Sequence, residues 1–304
     1  MKKTKKRFRV SGRTLRNWMY GYIFLLPWLV GIFMLVLYPL ANSFNFSMNT
    51  VRMMPTGMML FNVGMQNYHD LFVLDTTFLQ TLISLIVRMI PETAIIVSFS
   101  LIISLLLNLK IKGRAFFRSV FFLPVIIATG PVMNELVSQG VATVPMVNTM
   151  AISEAVSFLP LWVAEPVVSI FSSLILILWN SGVQILIFLA GLQKVNPTLY
   201  EAAKIDGGSG WECFWMITLP TIKPMILLNA IYTIIWLSTG GQNAMITLIY
   251  SNMFSTNRGY GYASAQAWVY SIAILLLLGL CWLLLRTPKD KPPKEIKRLQ
   301  RKNY

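Results

Sequence analysis

Charge is what this sequence has least of: charged residues make up 12% of its 304 positions, against about 25% in a soluble globular domain. Cysteine occurs twice, at Cys213 and Cys281, and histidine once, at His69. A Gly-Lys dipeptide never occurs. Without one, no GxxxxGK[ST] phosphate loop can be written, so the chain itself cradles no nucleotide. A lone histidine with no cysteine near it supplies neither a metal site nor a catalytic triad. Both cysteines map to the side read below as cytoplasmic, which argues against a disulfide. Sequence repeats and low-complexity tracts are missing as well.

What is present is apolar. Hydrophobic residues make up 56% of the chain and mean hydropathy is +0.63. They fall in blocks rather than in short periodic stripes. A helix rising 1.5 Å per residue needs about 20 apolar residues to cross the hydrocarbon core. Six stretches qualify, at about 20–41, 80–108, 116–136, 168–191, 223–250 and 265–286. Pro27, Pro91 and Pro124 do not disqualify them, because neighbouring helices in a membrane can satisfy the carbonyls that proline frees.

Basic residues orient these spans. The 108–118 loop carries Lys110, Lys112, Arg114 and Arg118, and the 191–223 loop carries Lys194, Lys204 and Lys223. The 42–79, 136–167 and 251–264 loops hold only Arg52 and Arg258 between them. Six helices with both ends in the cytoplasm satisfy every loop. A seventh span within 141–167 would put the basic tail outside, so that segment reads as an external loop or a partly buried re-entrant one.

The net charge of +15 is concentrated at the ends: eight basic residues lie between Lys2 and Arg16 and eight between Arg286 and Lys302. Tails of this kind beside apolar spans favour anionic lipid headgroups and do not point to nucleic acid. The run Tyr20–Leu40 is too long for a secretory leader and no small-x-small cleavage site follows it, so it reads as an uncleaved first span. The domain plan is therefore a basic cytoplasmic segment at 1–19, a membrane domain at 20–286 and a basic cytoplasmic tail at 287–304.

Arg88 and Glu92 are the charges placed deep in a span, at i and i+4 on one helix face. Such charges usually face a pore or a partner. They either line a translocation path or form a structural ion pair against another subunit. Most tryptophans lie near predicted span ends, where interfacial belts explain them. Trp236 and Asn243, in or near the fifth span, are the better candidates for a path lining.

The 191–223 loop encodes a structure of its own. Asn196 is a good N-cap, Pro197 suits the first helical position, and Gly207-Gly208 stops the helix. On physics alone this is a short helix lying on the headgroups. The residues say more. Glu201-Ala202-Ala203, then Gly207, then Ile217-x-Leu219-Pro220, have the spacing of the EAA motif. The run Tyr200-Glu201-Ala202-Ala203-Lys204-Ile205-Asp206-Gly207 resembles that of binding-protein-dependent ABC importer permeases. Over roughly residues 18–286 the resemblance continues. Phe24-Leu25-Leu26-Pro27, Gly113–Arg118 with Phe121–Pro124, Ile187–Gln193 and Gly261–Ala265 are similar to the carbohydrate branch, of maltose- and glycerol-phosphate-type first permeases. Gly208 departs from the alanine common there, and 136–167 matches poorly.

The resemblance implies an all-α membrane protein of the type I ABC importer permease fold, with six transmembrane helices. It implies a subunit without catalytic or metal residues in the cytoplasmic (inner) membrane of a bacterium. Its partners would be a homologous second permease, two ABC ATPases that bind ATP and magnesium, and an extracellular solute-binding protein. The cargo would be a sugar, as an oligosaccharide or glycoside, moved by alternating access. Tyr200, Glu201, Ala202, Ala203, Asp206, Gly207, Leu219 and Pro220 would couple the permease to its ATPase. Leu237–Gln242, superficially like an ATPase signature, instead resembles a stretch between spans five and six of sugar permeases. Competing readings are an importer of a non-sugar solute, a secondary transporter and a membrane-bound enzyme. The second needs inverted repeats and the third clustered acids, bases or metal ligands, and neither is visible.

Overall fold

The computed structural model describes residues 12–54, 57–109, 116, 119, 181–240, 243–255 and 257–286. The predicted span 116–136, the segment 136–167, most of the span 168–191 and the tail 287–304 lie outside the described residues. So do the basic residues of the 108–118 loop. The chain forms two compact units, Met1–Leu82 with Ala244–Ile272, and Ile83–Asn243 with Ala273–Tyr304. Among the described residues, four helical stretches are long and apolar enough to cross a membrane: Trp18–Ser47, Thr76–Asn108, Gly210–Met253 and Gly259–Leu285.

The first unit opens with α1 (Gly12–Ile32), a π turn at Phe33–Leu37, and α2 (Tyr38–Ser47), which continue one another. Pro27 lies inside α1 without ending it. From Trp18 to Leu40 no side chain is buried. An apolar helix exposed all round is one whose solvent is lipid or another apolar helix. A feature absent from the sequence reading follows: β1 (Asn49–Met54) and β2 (Gly57–Asn62) pair antiparallel with Asn49 opposite Asn62 and Met54 opposite Gly57. Helix α3 (Gln66–Val73) holds the base of this hairpin. Buried Asn67 donates from Nδ2 to the carbonyls of Ser47 (2.9 Å) and Asn49 (3.2 Å), and the Tyr68 hydroxyl donates to Ser47 Oγ (2.8 Å).

Asp75 organises the rest of the unit. It precedes α4 (Thr76–Asn108) and caps it, since its Oδ1 accepts from the Phe78 N–H at 3.0 Å. Its other oxygen accepts from Arg258, from the Tyr262 hydroxyl (2.8 Å) and from Gln266 (3.5 Å). Gln266 in turn accepts from Asn252 (3.0 Å). The carboxylate thus pins the connection after α9 (Ala244–Met253) and the first turns of α10 (Gly259–Leu285) to the start of α4. Burial alone would raise the Asp75 pKa. The hydrogen bonds from Tyr262 and the Phe78 amide, with the Arg258 charge, outweigh burial and hold it below the ordinary 3.8. The stabilisation is therefore complete above that ordinary value and lost as pH falls through the lowered one. Asp75→Ala is expected to cost about 2 kcal/mol, at the low end for a broken buried pair because Arg258 reaches solvent. It should also flatten the acid side of the thermal-stability profile of the detergent-solubilised protein. An unchanged profile would show that the carboxylate does not bear this load.

The second unit contains the rest of α4, α5 (Gly182–Leu192), α6 (Pro197–Ile205), α7 (Gly210–Cys213), a π turn at Phe214–Thr218, α8 (Leu219–Thr239) and the last turns of α10. Helix α4 runs through Pro91 unbroken. The stretch 223–250, read from sequence as one span, is two helices: α8 ends where Gly240 turns extended (ψ 143°), and α9 begins at Ala244. Glycine favours such a break because it lacks the side chain that would hold the helix. Val97, Phe188, Leu192, Val195, Ile222 and Ala230 make the core of this unit. Between apolar helices in lipid, burial brings no hydrophobic gain, so close packing and polar stitches hold them together. Gly191 shows the packing: a Cβ there would lie 2.6 Å from Met225 Cγ. The stitch is Gln184 Nε2 donating to Thr233 Oγ1 (3.0 Å), a bond worth about 0.6 kcal/mol in such a setting.

Candidate functional site

The site is built around α6, nine residues long. At its start, Asn196 stands in extended backbone (φ −67°, ψ 121°) and its side-chain oxygen accepts from the Thr198 N–H at 3.1 Å. Pro197 occupies the first turn, where a missing N–H costs nothing. At its end, Gly207 has φ +83°, the left-handed conformation that suits glycine. The Gly207 N–H donates to Lys204 O (3.1 Å) and the Gly208 N–H to Ala203 O (2.7 Å), which completes a Schellman cap. Gly208 has its own reason. A Cβ there would come within 2.9 Å of Ala203 O, so alanine at this position would require the turn to open slightly.

The two faces of α6 differ. Tyr200 and Ala203 are half-buried, one turn apart, and look into the second unit. Tyr200 packs against the core cluster of this unit, and its hydroxyl lies 2.8 Å from Thr218 Oγ1. Leu199, Glu201, Ala202, Lys204, Ile205 and Asp206 are exposed, Ile205 by 86%. Covering an isoleucine this bare would be worth about 1.5–3 kcal/mol. Of the sequence candidates, the outward face therefore carries Glu201, Ala202 and Asp206, with Gly207 at its corner, while Tyr200 seats the helix and Ala203 is half-buried.

Ser209 and Glu212 then form a capping box: Ser209 Oγ accepts from the Glu212 N–H (3.3 Å) and Glu212 accepts from the Ser209 N–H (2.7 Å). This starts α7 and clusters three rings: Trp215 meets Trp211 (5.5 Å) and Phe214 (5.3 Å) edge-on, and Trp211 and Phe214 lie tilted at 6.1 Å. Leu219, half-buried, and Pro220, exposed, open α8.

The other candidates stand elsewhere in the same unit. Arg88 and Glu92 pair at 3.4 Å on α4, with Arg88 71% exposed and Glu92 19%. Trp236 stacks on Tyr232 at 6.4 Å. Asn243 is buried, and its side-chain nitrogen donates to the carbonyls of Leu237 (2.9 Å) and Ser238 (3.3 Å), closing the end of α8.

Sequence reasoning passed over Thr218 and the α5–α8 seam of Gln184, Asn229 and Thr233. Asn229 Nδ2 donates to Gln184 O (3.3 Å), while Gln184 Oε1 and Asn229 Oδ1 are buried without a partner among the described residues. Amides inside spans were the available signal, since polar groups there are costly and seldom idle.

No family model matches the chain. It is 30% identical over 234 residues to the multiple sugar-binding transport system permease of Streptococcus mutans, which covers 70% of this chain and 77% of that protein. It is 29% identical over 279 residues to the lactose transport system permease of Rhizobium radiobacter, covering 84% and 91%. A probable ABC transporter permease of Bacillus subtilis matches at 27% over 280 residues, 87% of this chain and 88% of that one. Among solved structures, a bacterial ABC transporter that imports the acidic polysaccharide alginate superposes with a TM-score of 0.59. Its sequence identity is 20%, and the match covers 90% of this chain and 97% of that one.

Proposed function

This chain belongs to the permeases of sugar ABC transporters, and on that premise we propose that it forms half of the membrane path of an ATP-driven carbohydrate importer. The path would lie in the cytoplasmic membrane of a bacterium and carry an oligosaccharide or glycoside by alternating access. A homologous permease supplies the other half. Two ABC ATPases hold the nucleotide and its magnesium, and an extracellular binding protein delivers the sugar.

The observation that carries this reading is the two-faced helix α6. Its inner face is seated by Tyr200 on the core of the second unit, and its outer face offers Leu199, Glu201, Ala202 and Ile205. A short helix held this way transmits force. Ala202 lets a groove wall approach closely, Ile205 fills an apolar pocket, and Glu201 pairs with a basic side chain of the ATPase. When the ATPases close on nucleotide, the helix moves with them and the attached α8 follows. The test is uptake of labelled sugars by cells that carry the complete system and no other importer. ATP-dependent uptake that stops when the ATPase or the binding protein is removed is expected. Uptake driven by an ion gradient, without need of the ATPase, would sink the reading.

Arg88 belongs to the same proposal. A guanidinium 71% exposed on a span helix is costly against lipid. Packing of that side of α4 on the second permease, with Glu92 as counter-charge, relieves the cost. Arg88→Leu is expected to lower the amount of second permease that copurifies and to leave the apparent KM for sugar within about twofold of the parent. A raised KM with assembly intact would instead assign Arg88 to the sugar path.

A further inference from the structure

A π turn adds one residue to an α-helix, and such turns are frequent at functional sites. This chain makes one at Phe214–Thr218, where the segment after α6 enters α8, marked by the Leu219 N–H donating to Phe214 O five residues back. Thr218, buried in that turn, has its hydroxyl 2.8 Å from the Tyr200 phenol oxygen and 3.3 Å from Cys213 O. The direction of this chain of bonds follows from its ends. A carbonyl only accepts, so the single Thr218 proton goes to Cys213 O and the Tyr200 phenol donates to Thr218. The relay Tyr200 to Thr218 to Cys213 runs from the seated face of α6 across to the π turn. It ends on the residue immediately before that turn. Thr218 itself is buried, and a hydrogen bond shielded from water is stronger.

The covalent connection between α6 and α8 takes another route. It passes through Gly207 to Glu212, of which all but Gly208 are exposed. The buried polar link between the two helices is the relay.

We propose that Thr218, held by Tyr200, is the positioning residue through which movement of α6 enters α8. The relay fastens the π turn to α6, so displacement of α6 acts on the turn directly. Gain or loss of the extra residue is a discrete step, because each residue of a helix accounts for about 100° of rotation and 1.5 Å of rise. Such a step reorients everything beyond it on α8, including Asn229, Thr233 and Trp236. The proposal rests on the reading of α6 as the ATPase-coupling helix, and it adds the residue and the joint by which that coupling is passed on.

The test is sugar imported per ATP hydrolysed by the complete complex, with binding protein, in proteoliposomes. Thr218→Val keeps the branched shape and removes both bonds. Its transport-to-hydrolysis ratio is expected to fall about fivefold or more. Tyr200→Phe, which loses one bond, should fall less, and Thr218→Ser, which keeps the hydroxyl, should restore the ratio. A purely structural role would lower assembly, hydrolysis and transport in proportion and leave the ratio at the parent value, which overturns the proposal. An unchanged ratio in a fully assembled Thr218→Val complex overturns it equally. Should the unaltered complex show no ATP-dependent import at all, the coupling reading itself has failed, an outcome distinct from both.

Discussion

Gly207→Asp is expected to cut sugar uptake more than tenfold while the permease stays in the membrane at its normal level. Gly207 is the left-handed residue of the cap that ends α6, at φ +83°, and an L-residue there costs about 1–2 kcal/mol. A second carboxylate beside Asp206 also opposes the negative end of the helix dipole, by about 0.3–1 kcal/mol. Neither cost unfolds the segment, and a Cβ at Gly207 meets no atom of the described residues within 4 Å. On the proposed docking of α6, that space is where the ATPase approaches, so the damage is expected to fall on docking. Copurification of the ATPase should be lost together with uptake. Gly207→Ala, which adds strain without charge, should lose less. Wild-type uptake and ATPase recovery in Gly207→Asp would show that this corner of α6 faces no partner.

The largest stability effect is expected at Gly261. A Cβ added there would stand 1.9 Å from Asn49 O and 3.1 Å from both Asn49 C and Phe46 O. All three are backbone atoms, so no side-chain rotation relieves the overlap. The first turn of α10 must move off the end of α2 and the start of β1. The cost is expected to exceed about 3 kcal/mol, beyond the usual range for overpacking. Gly261→Ala should deplete the full-length chain from the membrane and lower its melting temperature in detergent. Gly279→Ala, on the same helix with nothing within 4 Å of the new methyl group, should be neutral or gain up to about 1 kcal/mol from helix propensity. Equal accumulation of the two variants would refute the close approach.

Both glycines lie in runs already conspicuous in the sequence, but for different reasons. Gly207 was legible as a helix stop because caps are local: Asn196, Pro197 and Gly207 act on backbone groups within a turn of themselves, and the structure forms that helix between them. The i, i+4 pair of Arg88 and Glu92 was legible for the same reason. Gly261 carried no local sign of its role, because the atoms it must avoid lie more than two hundred residues earlier in the chain. The network of Asp75 with Arg258, Tyr262 and Gln266 was illegible likewise, although Asp75 as an N-cap before an apolar run could have been noticed. The β-hairpin at Asn49–Asn62 escaped because only Thr50–Met53 alternates polar and apolar residues, while β2 runs Met58-Met59-Leu60-Phe61 without alternation. The break at Gly240 escaped although Ser238–Asn243 is a polar, glycine-bearing stretch within 223–250, because hydropathy averaged over the length of a span does not sense where a helix stops.

Composition and spacing by themselves determined that this chain lives in a membrane and that residues 197–205 form a capped helix. Those properties depend on transfer of apolar surface and on hydrogen bonds between near neighbours in sequence. Tertiary structure alone decided that Tyr200 turns inward to Thr218 while Ile205 turns out, that a π turn joins that helix to α8, and that Asp75 gathers donors from the far end of the chain. The contacts of Tyr200 and Asp75 join residues distant in sequence. Packing selects them, and no local rule encodes which distant partner will arrive.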